Sequence, residues 1–317
     1  MAEPDAFSPR ALALLQRVAD VVCDPVPPAR VADALSSYDV FWFRLGYRLD
    51  AATLEQASRC SIVATPVTGL DHIDLEVCDR LGIRVISLQG EQHFLRDVRA
   101  TAELTLALTL ALSRRLPEAM ADVLTGGWNR DAFRGHELFG KTVGLVGVGR
   151  LGTIVAGYFA ALGMRVLGYD PHAVPASGVE YLGDLRSLVA ASDVVSLHAT
   201  YDRTTHHMID AEVLAAVRPS AVLVNTARGG LIDEKALLDA LRARRLAGAA
   251  LDVLQDEPQI TADHPLVAYA REHGNLLLVP HIGGKTEESM EKTEAFLAER
   301  VIEALRESTE TGRTRSS

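Results

Sequence analysis

The stretch GLVGVGRLG, residues 144–152, constrains the fold more than any other, because it sets Gly147, Gly149 and Gly152 in the order G-x-G-x-x-G. Alone, such a turn is a weak signal. Here the aliphatic run TVGLVG (142–147) precedes it, a helical pattern over 151–162 follows it, and Asp170 ends the next aliphatic run eighteen residues after Gly152. That context is the dinucleotide-binding strand–turn–helix. The first glycine permits the tight turn, the second lets a pyrophosphate approach the backbone, and the third lets helix and strand pack closely. The helix start then offers free N–H groups and a positive dipole end to the phosphates. A carboxylate at Asp170 accepts from a ribose 2′-hydroxyl and repels a 2′-phosphate, and the following PHAVP holds no lysine or arginine to rescue that phosphate. NAD is therefore expected rather than NADP.

Short aliphatic runs alternate with helical patterns along the whole chain, which predicts an α/β fold with a parallel sheet covered on both faces. In the first hundred residues the expected strands are 18–22 (VADVV), 39–45, 60–65 and 83–88. Residues 91–116 contain no glycine or proline and repeat apolar residues at helical spacing, predicting one long helix. A second series of strands is expected at 142–147, 164–169, 193–197, 221–225, 247–251 and 276–279, with a last helix over 286–308 and a frayed polar tail, STETGRTRSS. The length of 317 residues with 48% hydrophobic content suits two domains or one large α/β unit. Three cysteines without paired spacing predict reduced thiols and neither a disulfide framework nor a metal site. A net charge of −10 disfavours nucleic acid. The first residues show no apolar signal core, and the run at 104–112 is too short to span a bilayer. A cytoplasmic protein acting on a small molecule is expected.

Ligands of open parallel sheets bind beyond the carboxyl ends of the strands. Arg228 in VNTARGGLIDE, Asp252 and Glu257 in ALDVLQDEP, and His281 in LLLVPHIGG each lie just past such an end. Singly, each could be a surface or structural residue. Their joint placement on one rim predicts a site. A guanidinium matches a carboxylate bidentately, and a histidine beside a carboxylate is suited to moving a hydroxyl proton.

Together these motifs, with TPVTGLDHIDLE at 65–76, resemble the D-isomer-specific 2-hydroxyacid dehydrogenases over nearly the whole chain. The resemblance implies a doubly wound Rossmann NAD domain at 104–285 and a flavodoxin-like substrate domain at 1–103, to which the C-terminal helix 286–317 returns, with a cleft between. It implies hydride transfer between NAD and a small 2-hydroxy or 2-oxo acid. Arg228 would bind the substrate carboxylate, His281 would be the acid/base, and Glu257 would pair with it. Arg150 and Leu151 would cap the pyrophosphate, Thr226 would touch the cofactor through its backbone, and Asp252 would hold the carboxamide. Ala227, Arg228, His281 and Gly284 complete the implied cofactor contacts. Gly69 and Leu70 would offer amides to the substrate carboxylate, and Arg44 holds the place of a phosphate-binding arginine. A homodimer through the NAD domain, near GGW at 126–128, is also implied.

The chain departs from the family near the expected cleft. SLQGEQ replaces an Asn-x-Pro signature, the Ser87–Ala102 segment is longer, Lys285 follows HIGG, and LHATYD lacks a proline. Arg96 and Arg99, three apart on the expected helix with Glu103 beyond, suggest a substrate with a second anionic group, such as phosphate, phosphonate or carboxylate. Alternatives are a same-fold dehydrogenase of formate, phosphite or a hydroxyphosphonate, and an NAD-sensing binding protein.

Overall fold

A computed structural model describes residues 1–172 and 176–314. The backbone falls into two compact units, Met1–Val98 with the C-terminal segment from Thr286, and Arg99–Lys285. The boundary lies a few residues before the one expected, just ahead of the helix Ala100–Ser113.

The first unit is built on three parallel strands, β1 (Val40–Trp42), β2 (Ile62–Ala64) and β3 (Arg84–Ile86), in the order β1-β2-β3. Alternation sorts their side chains onto two faces. Phe41, Phe43 and Val63 join Leu49, Leu54 and Val77 in one core. Trp42, Ile62, Ala64 and Ile86 face the other way, onto Leu297, Ala298 and Val301 of the long helix Glu287–Thr314 and onto Ala11 and Leu15. The C-terminal helix thus seals this sheet, running further than expected; of the tail thought to fray, residues 315–317 lie outside the described residues.

The expected strand at 18–22 does not form. The helix Pro9–Leu15 precedes it, and the amides of Arg17, Val18 and Ala19 are spent on Leu14 and Leu15 carbonyls in its closing turns. Beyond it, Pro25, Pro27 and Pro28 have no N–H to donate to a ladder. Single bonds remain at that edge: Val26 N–H to Ala2 O, Ala2 N–H to Trp42 O, and the Met1 ammonium to Val22 O.

Arg44, expected to face a phosphate, is committed elsewhere. Its guanidinium lies 2.7–2.8 Å from the Glu294 carboxylate and donates to the Glu3 and Asp5 carbonyls. Glu294 is 1% exposed, and its other oxygen takes the Ser8 N–H at 2.7 Å. Removing one partner of a buried pair leaves the other charge stranded. Arg44→Ala is expected to cost roughly 3–5 kcal/mol of stability in urea unfolding while leaving NADH binding intact.

The second unit carries a seven-stranded parallel sheet. Its strands are β4 (Thr142–Val146), β5 (Arg165–Tyr169), β6 (Glu180–Tyr181), β7 (Val194–Leu197), β8 (Val222–Asn225), β9 (Gly248–Leu251) and β10 (Leu276–Leu278), ordered β10-β9-β8-β7-β4-β5-β6. Only the two-residue β6 was not expected. The order reverses between β4 and β7, the switch point where doubly wound folds bind ligands. Register aligns the tips: Tyr169, Val146, Leu197, Asn225, Leu251 and Leu278 are successive partners across the sheet. Six loops therefore leave the sheet at one height.

The long helix expected over 91–116 is broken. Phe94–Asp97 is a 3₁₀ turn, Val98 is extended (φ −103°, ψ 100°), and the α-helix begins only at Ala100. It ends at Ser113, and Arg115 takes φ 53° before a further helix, Leu116–Leu124. The buried stripe is Ala102, Thr105, Leu108, Thr109 and Leu112, and Leu110 is exposed. Arg96 and Arg99, both exposed, consequently share no helix face.

Candidate active site

The residue after each aligned tip is Asp170, Gly147, His198, Thr226, Asp252 or Val279. At the switch point, Gly147 has φ 90°, and a Cβ there would lie 2.5 Å from the Ala199 nitrogen. At Gly152 a Cβ would meet the Gly147 carbonyl at 2.3 Å. At Gly149 it would meet nothing within 4 Å, so the protein leaves open space there. Two glycines are demanded by packing and the middle one by room for a ligand, which fits a dinucleotide phosphate. Arg150 opens the helix Arg150–Ala161 at this point, and Leu151 packs beside it against the core. Burial pulls the Arg150 guanidinium below its ordinary pKa.

Asp170 lies at the next tip. Its carboxylate takes the Val148 and His172 N–H groups at 2.9 Å, one on each oxygen. Lone pairs remain for ribose hydroxyls. Residues 173–175 of PHAVP lie outside the described residues.

The catalytic candidates occupy three adjacent strands. Arg228 follows β8; Asn225 orders its loop by donating to the Arg228 carbonyl and accepting the Ala227 N–H, and Arg228 Nη1 donates to the Ala227 carbonyl. Glu257 follows β9, and its Oε1 lies 2.7 Å from His281 Nδ1. Both side chains are partly exposed, at 27% and 23%. With Nδ1–H donating to the carboxylate, Nε2 is left to exchange a proton.

His281 takes φ 53°, a left-handed conformation that costs a non-glycine residue roughly 1–3 kcal/mol. Asp252 holds it there. Its carbonyl accepts the His281 N–H at 2.8 Å, and its carboxylate accepts Ile282 N–H at 2.6 Å and Gly283 N–H at 2.9 Å. Hydrogen bonds to a charged group contribute roughly 1.5–3 kcal/mol each, enough to offset the strain. Burial raises the Asp252 carboxyl above its usual range, and those two amides counter it. Asp252, expected to hold the cofactor's carboxamide, gives one lone pair of each carboxylate oxygen to the His281 loop.

Thr226 is buried and its hydroxyl bonds Thr105 at 2.8 Å, so only its backbone faces outward from the tip. Gly284 has open space around it, and Lys285 beside it is exposed. In the first unit, nothing among the described residues accepts from the Gly69 or Leu70 N–H.

His198 was not singled out from sequence. The signal available was its position, one residue past a strand, as for Asp170. Its Nε2 lies 2.9 Å from the Ser196 hydroxyl, while Nδ1 is shielded from solvent without a partner. Burial lowers its pKa to about 4.

This set of residues defines a Rossmann dinucleotide-binding protein with a hydrogen-bonded carboxylate–imidazole pair at its strand tips. The family model for the D-isomer specific 2-hydroxyacid dehydrogenase NAD-binding domain matches residues 106–283. The chain belongs to that family, and its cofactor is NAD. It is 34% identical over 307 residues to a D-3-phosphoglycerate dehydrogenase of Methanocaldococcus jannaschii, covering 95% of this chain and 56% of the relative. It is 37% identical over 309 residues to a glyoxylate reductase of Aeropyrum pernix, covering 93% and 89%. A crystal structure of D-lactate dehydrogenase from Aquifex aeolicus with NAD and lactic acid superposes with a TM-score of 0.81 at 29% identity, over 95% and 93% of the two chains. The chain spans about half the length of the phosphoglycerate dehydrogenases it matches.

Two outcomes follow from these residues. Asp170→Ala should raise the efficiency with NADPH relative to NADH at least tenfold, since a repelled 2′-phosphate gains roughly 1.4 kcal/mol or more. His198 is held neutral in the fold, so stability should be lost as pH falls from 6.5 toward 4, by at most roughly 3 kcal/mol. Urea unfolding across that window should show a shallower decline in His198→Gln.

Proposed function

We propose that the protein interconverts a small 2-hydroxy acid and its 2-oxo acid, with NAD, when bound, accepting or supplying the hydride. The Glu257–His281 pair at 2.7 Å on the ligand-binding rim carries this reading. Arg228 takes the substrate carboxylate and turns the 2-carbon into place. In reduction His281 gives its Nε2 proton to the 2-oxo oxygen; in oxidation it takes the hydroxyl proton. Glu257 holds the ring and stabilises the imidazolium.

The Arg44–Glu294 pair removes one guanidinium that a second anionic group would need. NADH consumption across 2-oxo acids, with and without a second anion, tests the substrate class. No turnover of any of them would overturn the activity. Reduction should fall as pH rises and oxidation should fall as pH falls. His281→Ala should keep NADH binding and lose roughly a hundredfold or more in kcat.

We further propose a cytoplasmic homodimer through the second unit. The helix Leu116–Leu124 has no buried residue, and Met120, Leu124, Trp128 and Phe139 are 66–87% exposed. Such an apolar surface suits a second copy of this chain. Sedimentation should give a dimer that Leu124→Glu/Trp128→Glu dissociates; a wild-type monomer at all concentrations would overturn it. Among the described residues no helix is long and apolar enough to cross a membrane.

A further inference from the structure

Behind the Glu257–His281 pair lies a second carboxylate–imidazole pair, Glu234 and His264. Glu234 opens the helix Glu234–Arg242 and is 15% exposed; His264, 13% exposed, caps the helix Pro265–Glu272. The His264 Nδ1 accepts the Leu266 N–H at 3.3 Å, which places its ring proton on Nε2, 3.3 Å from Glu234 Oε2. The other Glu234 oxygen accepts the Gln255 N–H at 2.7 Å. Gln255 is two residues before Glu257.

The same short segment is gripped from other sides. The Gln255 side-chain oxygen lies 3.0 Å from His207 Nε2, and the His207 N–H donates to the Gly230 carbonyl at 2.8 Å. A Cβ on Gly229 would come within 2.1 Å of the Leu254 carbonyl carbon. The Arg228 loop and the Glu257 loop therefore touch backbone to backbone, and Glu234 is the charged group that ties the second of them down. The groups facing Glu234 are the Gln255 amide, His264, Asp256 and His207. Burial raises its carboxyl above the usual range, with Asp256 adding to the rise and the other three opposing it.

We propose that Glu234 is a positioning residue: its bond to the Gln255 amide sets the height at which Glu257 meets His281, and His264 fixes the orientation of that carboxylate. The proposal rests on the acid/base reading above. It separates two tasks that the NTARGGLIDE motif combines, substrate binding at Arg228 and alignment of the neighbouring loop at Glu234.

Variants at Glu234 test it beside His281→Ala. Glu234→Ala should lower kcat for reduction roughly ten- to a hundredfold, the range for a displaced catalytic group. Its KM for NADH should stay unchanged, and its solvent isotope effect on kcat should rise as proton transfer becomes limiting. Glu234→Gln keeps an acceptor for the Gln255 amide but sets its NH2 against the His264 Nε2–H, so its kcat should fall between those of the alanine variant and the parent. Glu234→Asp, one methylene shorter, should show the same changes as alanine in smaller measure, and it serves if the alanine variant does not fold. NADH binding by fluorescence reports the fold in each case. Parent-like kcat and isotope effect in the alanine and aspartate variants would overturn the proposal alone. So would a glutamine variant as slow as alanine. Near-normal turnover of His281→Ala would overturn the acid/base reading and this proposal with it.

Discussion

The clasp of Asp252 on the loop 281–283 is the interaction on which the site depends. A histidine in a left-handed conformation at a strand tip is not held by its own propensity. Asp252 offers one carbonyl and two carboxylate oxygens to three successive amides, and its own N–H is fixed to Asn225 at 2.9 Å. Asn225 in turn orders the Arg228 loop. One chain of backbone-directed bonds thus runs from the Arg228 loop through β9 to His281. The geometry of the candidate catalytic groups is set by main-chain amides, which have far fewer alternative positions than side chains.

The second unit was legible in sequence because its signals are redundant. Each strand is a buried aliphatic run, and a seven-stranded parallel sheet admits few orders for them. The glycines could be assigned tasks beforehand because two are required by sterics, at 2.5 Å and 2.3 Å, wherever the turn is built. Arg228, Glu257 and His281 could be placed because their distance past a strand end is short and fixed. The first unit was less legible. VADVV has strand-like composition, yet the amides of Val18 and Ala19 are already consumed by a helix that ends just before it. Absence of glycine and proline did not make 91–116 one helix, since an extended Val98 meets no steric objection. Side-chain bonding was least visible of all. Arg44 looks the same in sequence whether it faces a ligand or Glu294, which lies 250 residues away along the chain.

The buried ion pairs and clasps share one pattern: a carboxylate is placed where it accepts at least one main-chain N–H. Asp252, Glu234 and Asp170 each accept backbone amides, as do the helix-capping Asp184, Asp210 and Asp233. Acidic residues outnumber basic ones by 42 to 32, and part of that excess is therefore structural. Such carboxylates act as fixed acceptors that shape loops, and the net charge of −10 says less about partners than a surface count suggests.

The row of strand tips also sorts protonation states. Asp170 keeps lone pairs for hydroxyls, Asp252 is pushed up by burial and held by amides, and His198 is pushed down to about 4. A neutral His198 under the glycine turn adds no cation there, which leaves the positive end of the helix dipole as the field at that turn. His281 differs from His198 in one structural respect. It stands three residues beyond its strand instead of one, far enough to be partly exposed and to meet a carboxylate at Nδ1. Position along the loop, more than residue type, decides which imidazole is locked neutral and which is placed to exchange a proton.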